Sequence, residues 1–101
     1  MAILHTVNKS AASHPALEQC LATMQADSAL LLIENGVLNA INEGLKADQL
    51  ALLAAQKRLY VLEVDAIARG ITQRLLPNTL LVNDSEFVRL CTVFDATQSW
   101  Y

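Results

Sequence analysis

The sequence predicts an α/β fold, a small, open and mostly parallel sheet flanked by helices (flavodoxin-like). Short apolar runs recur along the 101 residues, and the segments between them have apolar residues at helical spacing. The runs at 29–33, Leu59–Leu62 and 79–82 are continuous rather than alternating, which is typical of parallel strands covered on both faces. The three glycines form neither GxGxxG nor a P-loop, so the phosphate-binding versions of this architecture are not indicated.

The first strand is predicted at Ile3–Val7, and a helix follows it. Pro15 suits the first turn of that helix, with Ser13 or His14 as its cap, because proline needs no backbone donor there. The apolar positions of the helix recur at i, i+3, i+4 and i+7, which places them on one face. They are Leu17, Cys20, Leu21 and Met24. One side of this helix is therefore expected to lie against the sheet.

The second strand, at residues 29–33, runs into Asn35-Gly36, a pair that favours a hairpin turn. The apolar residues within 37–42 nevertheless repeat with helical period, so we predict a loop that leads into a helix. A further helix is predicted over residues 48–57, which are rich in Leu, Ala and Gln, all strong helix formers.

The third strand, Leu59–Leu62, precedes the short segment DAIARG. Asp65 is predicted to cap a short helix in this segment, and Gly70 is predicted to follow its last turn, because these residue types favour those positions. The fourth strand is predicted at residues 79–82.

The last helix is predicted to begin at Asp84 or Ser85. Its apolar positions at helical spacing are Phe87, Val88, Cys91 and Phe94. Strands that alternate with helices through right-handed connections form one domain, residues 1–101, with a sheet of four or five strands. So small a sheet leaves edges and helix faces that need partners.

The chain is more apolar than an ordinary soluble domain, with 53% hydrophobic and 17% charged residues. A domain of about 100 residues buries roughly two-thirds of the surface that its unfolded chain exposes, so part of the apolar excess must lie outside. Exposed apolar patches usually mark contacts with other chains. We therefore expect an obligate oligomer subunit, which self-associates or precipitates when it is expressed without its partners.

Charge and hydropathy argue against several functional classes. The net charge is −3 and the seven Lys and Arg residues are scattered, so direct binding to nucleic acid is not expected. The longest apolar run, residues 50–55, is far shorter than the about 20 residues of a membrane span. The N-terminus also lacks the pattern of a secretory signal, so a cytoplasmic location is expected. No cofactor is expected.

The two cysteines, Cys20 and Cys91, lie far apart without CxxC spacing, which argues against a disulfide scaffold and a thiolate zinc site. Cys91 stands between apolar residues on the last helix, and a core position is predicted for it. No cation stands three or four residues from Cys20, and it lies beyond the first turn of its helix. Two interpretations of Cys20 therefore stay open: a buried structural cysteine, or a thiol activated by another segment or chain.

Neither histidine has the neighbours that a metal site requires. His14 is expected to be a helix cap or a surface residue. His5 lies in the first strand of a parallel sheet, whose strand ends often bind ligands. A hydrogen-bonded core histidine is the favoured interpretation of His5.

Two further pairs are candidate interface residues. Asp65 and Arg69 stand at i and i+4, a favourable spacing for an ion pair, and either stabilise a charged helical turn or anchor a subunit interface. Trp100 and Tyr101 are adjacent aromatics that are unfavourable in water. They are expected to pack on this chain's own sheet or on a neighbouring subunit.

Several segments together resemble the DsrH/TusB family, the small subunit of the DsrEFH and TusBCD sulfur-relay complexes. The resemblance covers nearly the whole chain, and it depends on the order and spacing of its marks rather than on any one of them. The marks are ILHTVNKS at 3–10, LLLIENGV at 30–37, LYVLEVDAIARG at 59–70, DSEFVRL at 84–90 and SW at 99–100.

The resemblance implies a flavodoxin-like sandwich that joins DsrE/TusD-like and DsrF/TusC-like sister subunits in a heterohexamer, between upstream and downstream sulfur-carrier proteins. In TusBCD complexes persulfide sulfur passes towards the 2-thiolation of wobble uridine in tRNA, and this is the function we expect. The main sulfur-carrying cysteine belongs to the DsrE/TusD-type sister. The present chain is then a chiefly architectural, non-catalytic subunit of a sulfurtransferase complex.

The resemblance also bears on Cys20. DsrH-type members carry a cysteine in the first helix, whereas some TusB members lack it, and LEQCL places Cys20 at that position. Cys20 is therefore a candidate sulfur carrier. Two alternatives to the tRNA function stay open: a DsrH-type subunit in dissimilatory sulfur oxidation, and a purely structural subunit in which Cys20 is buried.

Overall fold

The computed structural model describes residues 1–101 and has a five-stranded, all-parallel sheet flanked by helices, which confirms the predicted fold class. The strands are β1 (Ile3–Val7), β2 (Ala29–Leu32), β3 (Leu59–Leu62), β4 (Leu80–Val82) and β5 (Ala96–Trp100). Their order across the sheet is β4-β3-β2-β1-β5, so β2 is central and β4 and β5 form the edges.

Four α-helices and two short 3₁₀ segments connect the strands. The helices are α1 (Ala16–Thr23), α2 (Ala47–Ala55), α3 (Glu63–Ala68) and α4 (Asp84–Val93), and the 3₁₀ segments are Glu34–Ala40 and Thr72–Arg74. The helix predicted over residues 37–42 is thus a 3₁₀ segment that begins earlier and ends where the backbone becomes extended at Ile41. None of the helices combines the length and the hydropathy that a membrane span requires.

The two faces of the sheet are covered unequally. We call the α1 face the side covered by α1, α2, α3 and the segment Glu34–Ala40, whose buried residues form one apolar cluster with the strands. The α4 face is the opposite side, where α4 packs Leu90, Phe87 and Phe94 against a smaller cluster. Side chains of β1 and β2 alternate between these two clusters, because successive residues of a strand point to opposite faces.

Strands β1 and β2 are buried from solvent on both faces of the sheet. The residues of β1 and β2 that are fully buried are Leu4, Val7, Leu30, Leu31 and Leu32. The continuous apolar run of β2 therefore corresponds to a strand with no solvent-facing side, as expected for a parallel sheet, whereas the run at 79–82 forms the edge strand β4, in which Leu81 is exposed.

The cap of helix α3 departs from prediction. Helix α3 begins at Glu63, directly after β3, so Asp65 lies inside its first turn and is not the cap. Gly70 follows the helix with φ +66°, the left-handed conformation predicted for it. Helix α4 begins at Asp84 as predicted, but its cap is Asn83, which exchanges two hydrogen bonds of 2.9 Å with Glu86 in a capping box.

The predicted core position of Cys91 is wrong, because this side chain is exposed. Helix α4 turns Leu90 towards the sheet and flanks it with Phe87 and Phe94. Cys91 lies one position further round the helix, beside that buried stripe. The helical period identified an apolar face but misplaced its centre by about one residue.

Gly36 brings the turn after β2 against the end of β1. A Cβ atom on Gly36 would lie 2.1 Å from the carbonyl oxygen of Val7 and 3.3 Å from Cα of Asn8. The same Val7 carbonyl accepts a hydrogen bond of 3.1 Å from the backbone N–H of Ile33. A side chain has no room here, because the neighbouring atoms belong to the backbone.

We predict that Gly36→Ala lowers the free energy of unfolding by about 1–3 kcal/mol, the usual cost of overpacking a fixed site. Urea denaturation followed by circular dichroism measures this change. Gly70→Asn is the matched control, since no atom lies within 4 Å of a Cβ at Gly70 and asparagine tolerates its positive φ. Equal urea midpoints for wild type and Gly36→Ala would show that the contact at Val7 is not restrictive.

Candidate functional site

The edge of the sheet formed by the carboxyl ends of its strands carries a polar network, which we call the carboxyl-edge network: Glu34, Asn35, Asp65 and Arg69. The backbone N–H of Glu34 donates to Oδ2 of Asp65 at 2.7 Å. Arg69 Nε donates to Oδ1 of Asn35 at 3.1 Å, and Arg69 Nη1 lies 3.7 Å from Oδ1 of Asp65. The network joins the turn after β2 to helix α3, at the edge where parallel sheets commonly bind ligands.

Asp65 supports an unusual backbone conformation in this network. Glu34 has φ +50°, a left-handed conformation that a non-glycine residue rarely adopts. The short hydrogen bond from its N–H to Asp65 holds it there. The Asp65–Arg69 ion pair predicted from the i, i+4 spacing forms. The contacts of this pair with Glu34 and Asn35 were not predicted. The ENG turn that follows a buried strand was the available signal.

Asn39 fixes the loop that follows β1. Its Oδ1 accepts from the backbone N–H of Ala11 at 2.8 Å, and its Nδ2 donates to the carbonyl of Lys9 at 3.0 Å. Asn39 is a buried polar residue that was not predicted, although an asparagine between Val37 and Ala40 interrupts an apolar stretch. No group of three or more His, Cys, Asp or Glu side chains stands close enough together to hold a metal ion.

Cys20 lies on the buried side of α1, at 0% exposure, within the apolar cluster of the α1 face. Burial raises the pKa of its thiol to about 12, because the apolar surroundings disfavour the thiolate. The thiol is therefore protonated near neutral pH and is a weak nucleophile in this conformation. The buried interpretation of Cys20 describes this structure.

The structure does not bring the two cysteines together. Cys20 lies on the α1 face, whereas Cys91 is exposed on α4, on the other side of the sheet. A disulfide between them is thus excluded by the architecture.

His5 and Trp100 form a side-chain pair between β1 and β5. Trp100 Nε1–H donates to Nδ1 of His5 at 3.0 Å, and the two rings are tilted with centroids 6.1 Å apart. His5 is 2% exposed, and burial lowers the pKa of its imidazole, which keeps the ring neutral and able to accept this hydrogen bond. His5 is thus the hydrogen-bonded core histidine that the sequence favoured.

The remaining candidate residues, Trp100, Tyr101 and His14, have different environments in the structure. Trp100 packs on its own chain, against the α1-face cluster, whereas Tyr101 is exposed. His14 Nδ1 accepts from the backbone N–H of Ala16 at 3.1 Å, but the N-cap position of α1 is Pro15, so neither Ser13 nor His14 is the cap and Pro15 lies just before the first turn.

Acidification is predicted to destabilise the folded chain through His5. The pKa of His5 is lower in the folded state than in the unfolded state, so the unfolded chain binds more protons between the two values. The free energy of unfolding then falls as the pH drops below about 6.5, the ordinary histidine pKa. Urea midpoints measured at several pH values test this.

His5→Gln should flatten the pH dependence, whereas the control His14→Gln should leave it as in wild type. A His5→Gln variant with the full wild-type dependence would refute the assignment to His5.

Comparison with known proteins agrees with this fold. The family model described as DsrH like protein matches residues 9–97. Protein TusB of Pectobacterium parmentieri is 34% identical over 98 residues, which cover 97% of this chain and 100% of the relative. Protein TusB of Escherichia coli (strain K12) is 30% identical over 101 residues, with the same coverage of each chain.

A solved structure shares the architecture. The ychN protein from E. coli superposes with a TM-score of 0.80 over 99% of both chains at 19% sequence identity, a likeness that shows the fold alone. The family model, in contrast, spans most of the sequence, and the TusB relatives align over nearly its full length. The resemblance drawn from the sequence is confirmed, and this chain belongs to the DsrH family.

Proposed function

We propose that this chain is an architectural subunit of a cytoplasmic sulfurtransferase complex that supports persulfide transfer for the 2-thiolation of wobble uridine in tRNA. Its proposed partners are DsrE/TusD-like and DsrF/TusC-like sister subunits in a heterohexamer, which exchanges sulfur with upstream and downstream carrier proteins. The observation that carries this proposal is membership of the DsrH family with relatives named TusB along the whole chain.

The environment of Cys20 supports an architectural rather than a sulfur-carrying role. A cysteine that accepts and passes on sulfur must be reachable and must ionise, since the thiolate is the attacking species. Cys20 is fully buried, and burial alone raises its pKa to about 12. No neighbouring cation offsets that effect. The proposal therefore assigns the sulfur-carrying cysteine to a sister subunit.

Exposed apolar side chains support the proposed assembly. Eight large apolar residues are each more than half exposed: Met1, Leu45, Leu52, Val64, Ile67, Val88, Val93 and Tyr101. Such side chains favour burial against another chain. Asp65, Arg69 and Tyr101 stay candidate interface residues in the proposal, and Trp100 contributes chiefly to its own core.

Gene deletion with complementation tests the proposal. Deletion is expected to abolish 2-thiouridine at the wobble position, measured by mass spectrometry of digested tRNA. Wild type and Cys20→Ser are both expected to restore it, because the proposed role needs the surfaces of the subunit and not its thiol. Cys91→Ser is the matched control for loss of a cysteine.

Two results would count against the proposal. Unchanged thiolation after deletion would remove the tRNA function and direct attention to sulfur oxidation. A Cys20→Ser chain that assembles with its sisters in size-exclusion chromatography, yet fails to restore thiolation, would assign a chemical role to Cys20.

A further inference from the structure

Strand β5 is attached to the sheet along one side only. It pairs with β1 from Ile3↔Ala96 to Val7↔Trp100, and its other side has no neighbouring strand. Its central residues Thr97, Gln98 and Ser99 are exposed. Little apolar burial therefore holds this strand, in contrast to β1 and β2.

Two side-chain hydrogen bonds and one aromatic ring supplement the backbone pairing of β5. Thr6 Oγ1 donates to Oγ of Ser99 at 3.2 Å, and Trp100 Nε1 donates to Nδ1 of His5 at 3.0 Å. Trp100 is the one large apolar side chain of the strand, and it packs against the α1-face cluster. Although Trp100 is in register with Val7, its indole reaches back to His5 along β1.

This placement puts Trp100 beside the layer that contains Cys20. Helix α1 lies over both β1 and β5, and Cys20 points from α1 into the cluster that Trp100 borders. The opposite flank of α1 faces a groove of about 530 Å³ between α1 and α2, and Cys20 does not line that groove. Of the two flanks, the one beside β5 is thus the side on which access to Cys20 depends on an edge strand with little apolar burial, although this strand pairs with β1 over five residues.

We propose that β5 acts as a strap over the buried side of α1, and that its detachment from β1, with the rest of the sheet intact, is the route by which reagents reach Cys20. Sub-global openings of this kind involve the least stable elements of a fold. The hydrogen bond from Trp100 to His5 sets how often the strap opens. The inference concerns access alone, so it does not depend on the proposed function.

Native-state alkylation tests the strap. The full chain carrying Cys91→Ser is treated with iodoacetamide at increasing urea below the unfolding transition, and the rate of Cys20 labelling is followed by mass spectrometry. Labelling through the strap should depend weakly on urea, because detachment of one strand exposes much less surface than global unfolding. This measurement needs no substitution in β5.

Two variants in the same background locate the opening. Trp100→Phe keeps the ring stacked on the cluster but removes the N–H donor, and is expected to accelerate labelling about two- to tenfold, as the loss of one hydrogen bond implies. Phe87→Leu weakens α4 on the opposite face, which stays packed while the strap is open. It lowers global stability, and is expected to leave labelling in the absence of urea unchanged.

Three results would overturn the inference. Labelling with the full urea dependence of global unfolding would show that Cys20 is reached only in the unfolded chain. If Phe87→Leu accelerates labelling by the factor that its loss in free energy of unfolding predicts, Cys20 is again reached only in the unfolded chain. An unchanged labelling rate in Trp100→Phe would show that the hydrogen bond from Trp100 to His5 does not control detachment of β5. Each result is independent of whether the complex transfers sulfur to tRNA.

Discussion

Strands β1 and β2 lie inside the sheet with apolar side chains on both faces, and they are stable only if water is kept from both. On the α1 face three helices and a 3₁₀ segment exclude it, whereas on the α4 face one helix does so. Gly36 allows the 3₁₀ segment to lie directly against the end of β1. The helices cover the sheet with their inner faces, and their outer faces keep exposed apolar side chains.

The chemistry of the thiols follows from the same requirement. Helix α1 must bury one face to cover β1, and Cys20 stands in the middle of that face, so its thiol loses the water that would stabilise a thiolate. His5 on the facing strand is held neutral for the same reason and accepts a hydrogen bond instead.

Periodicity and residue type were sufficient for the fold class, for β1 and β3 to the residue, and for the start of α4, because each depends on local pattern. Strand β5 was missed, since three of its five residues are exposed and polar. Its place is decided by pairing with β1, which no local pattern records. The carboxyl-edge network was half predicted, because Asp65 and Arg69 are close in sequence but meet Glu34 and Asn35 only through the sheet.

The most direct measurement is mass spectrometry of the complex, co-expressed with its sister subunits and exposed to a persulfide donor, with Cys20→Ser for comparison. If Cys20 is a core residue of an architectural subunit, added sulfur appears on a cysteine of a sister chain. The Cys20 peptide of the native complex then gains no sulfur during loading. One added sulfur on the Cys20 peptide of the native complex, absent from Cys20→Ser, would instead make this chain a member of the relay.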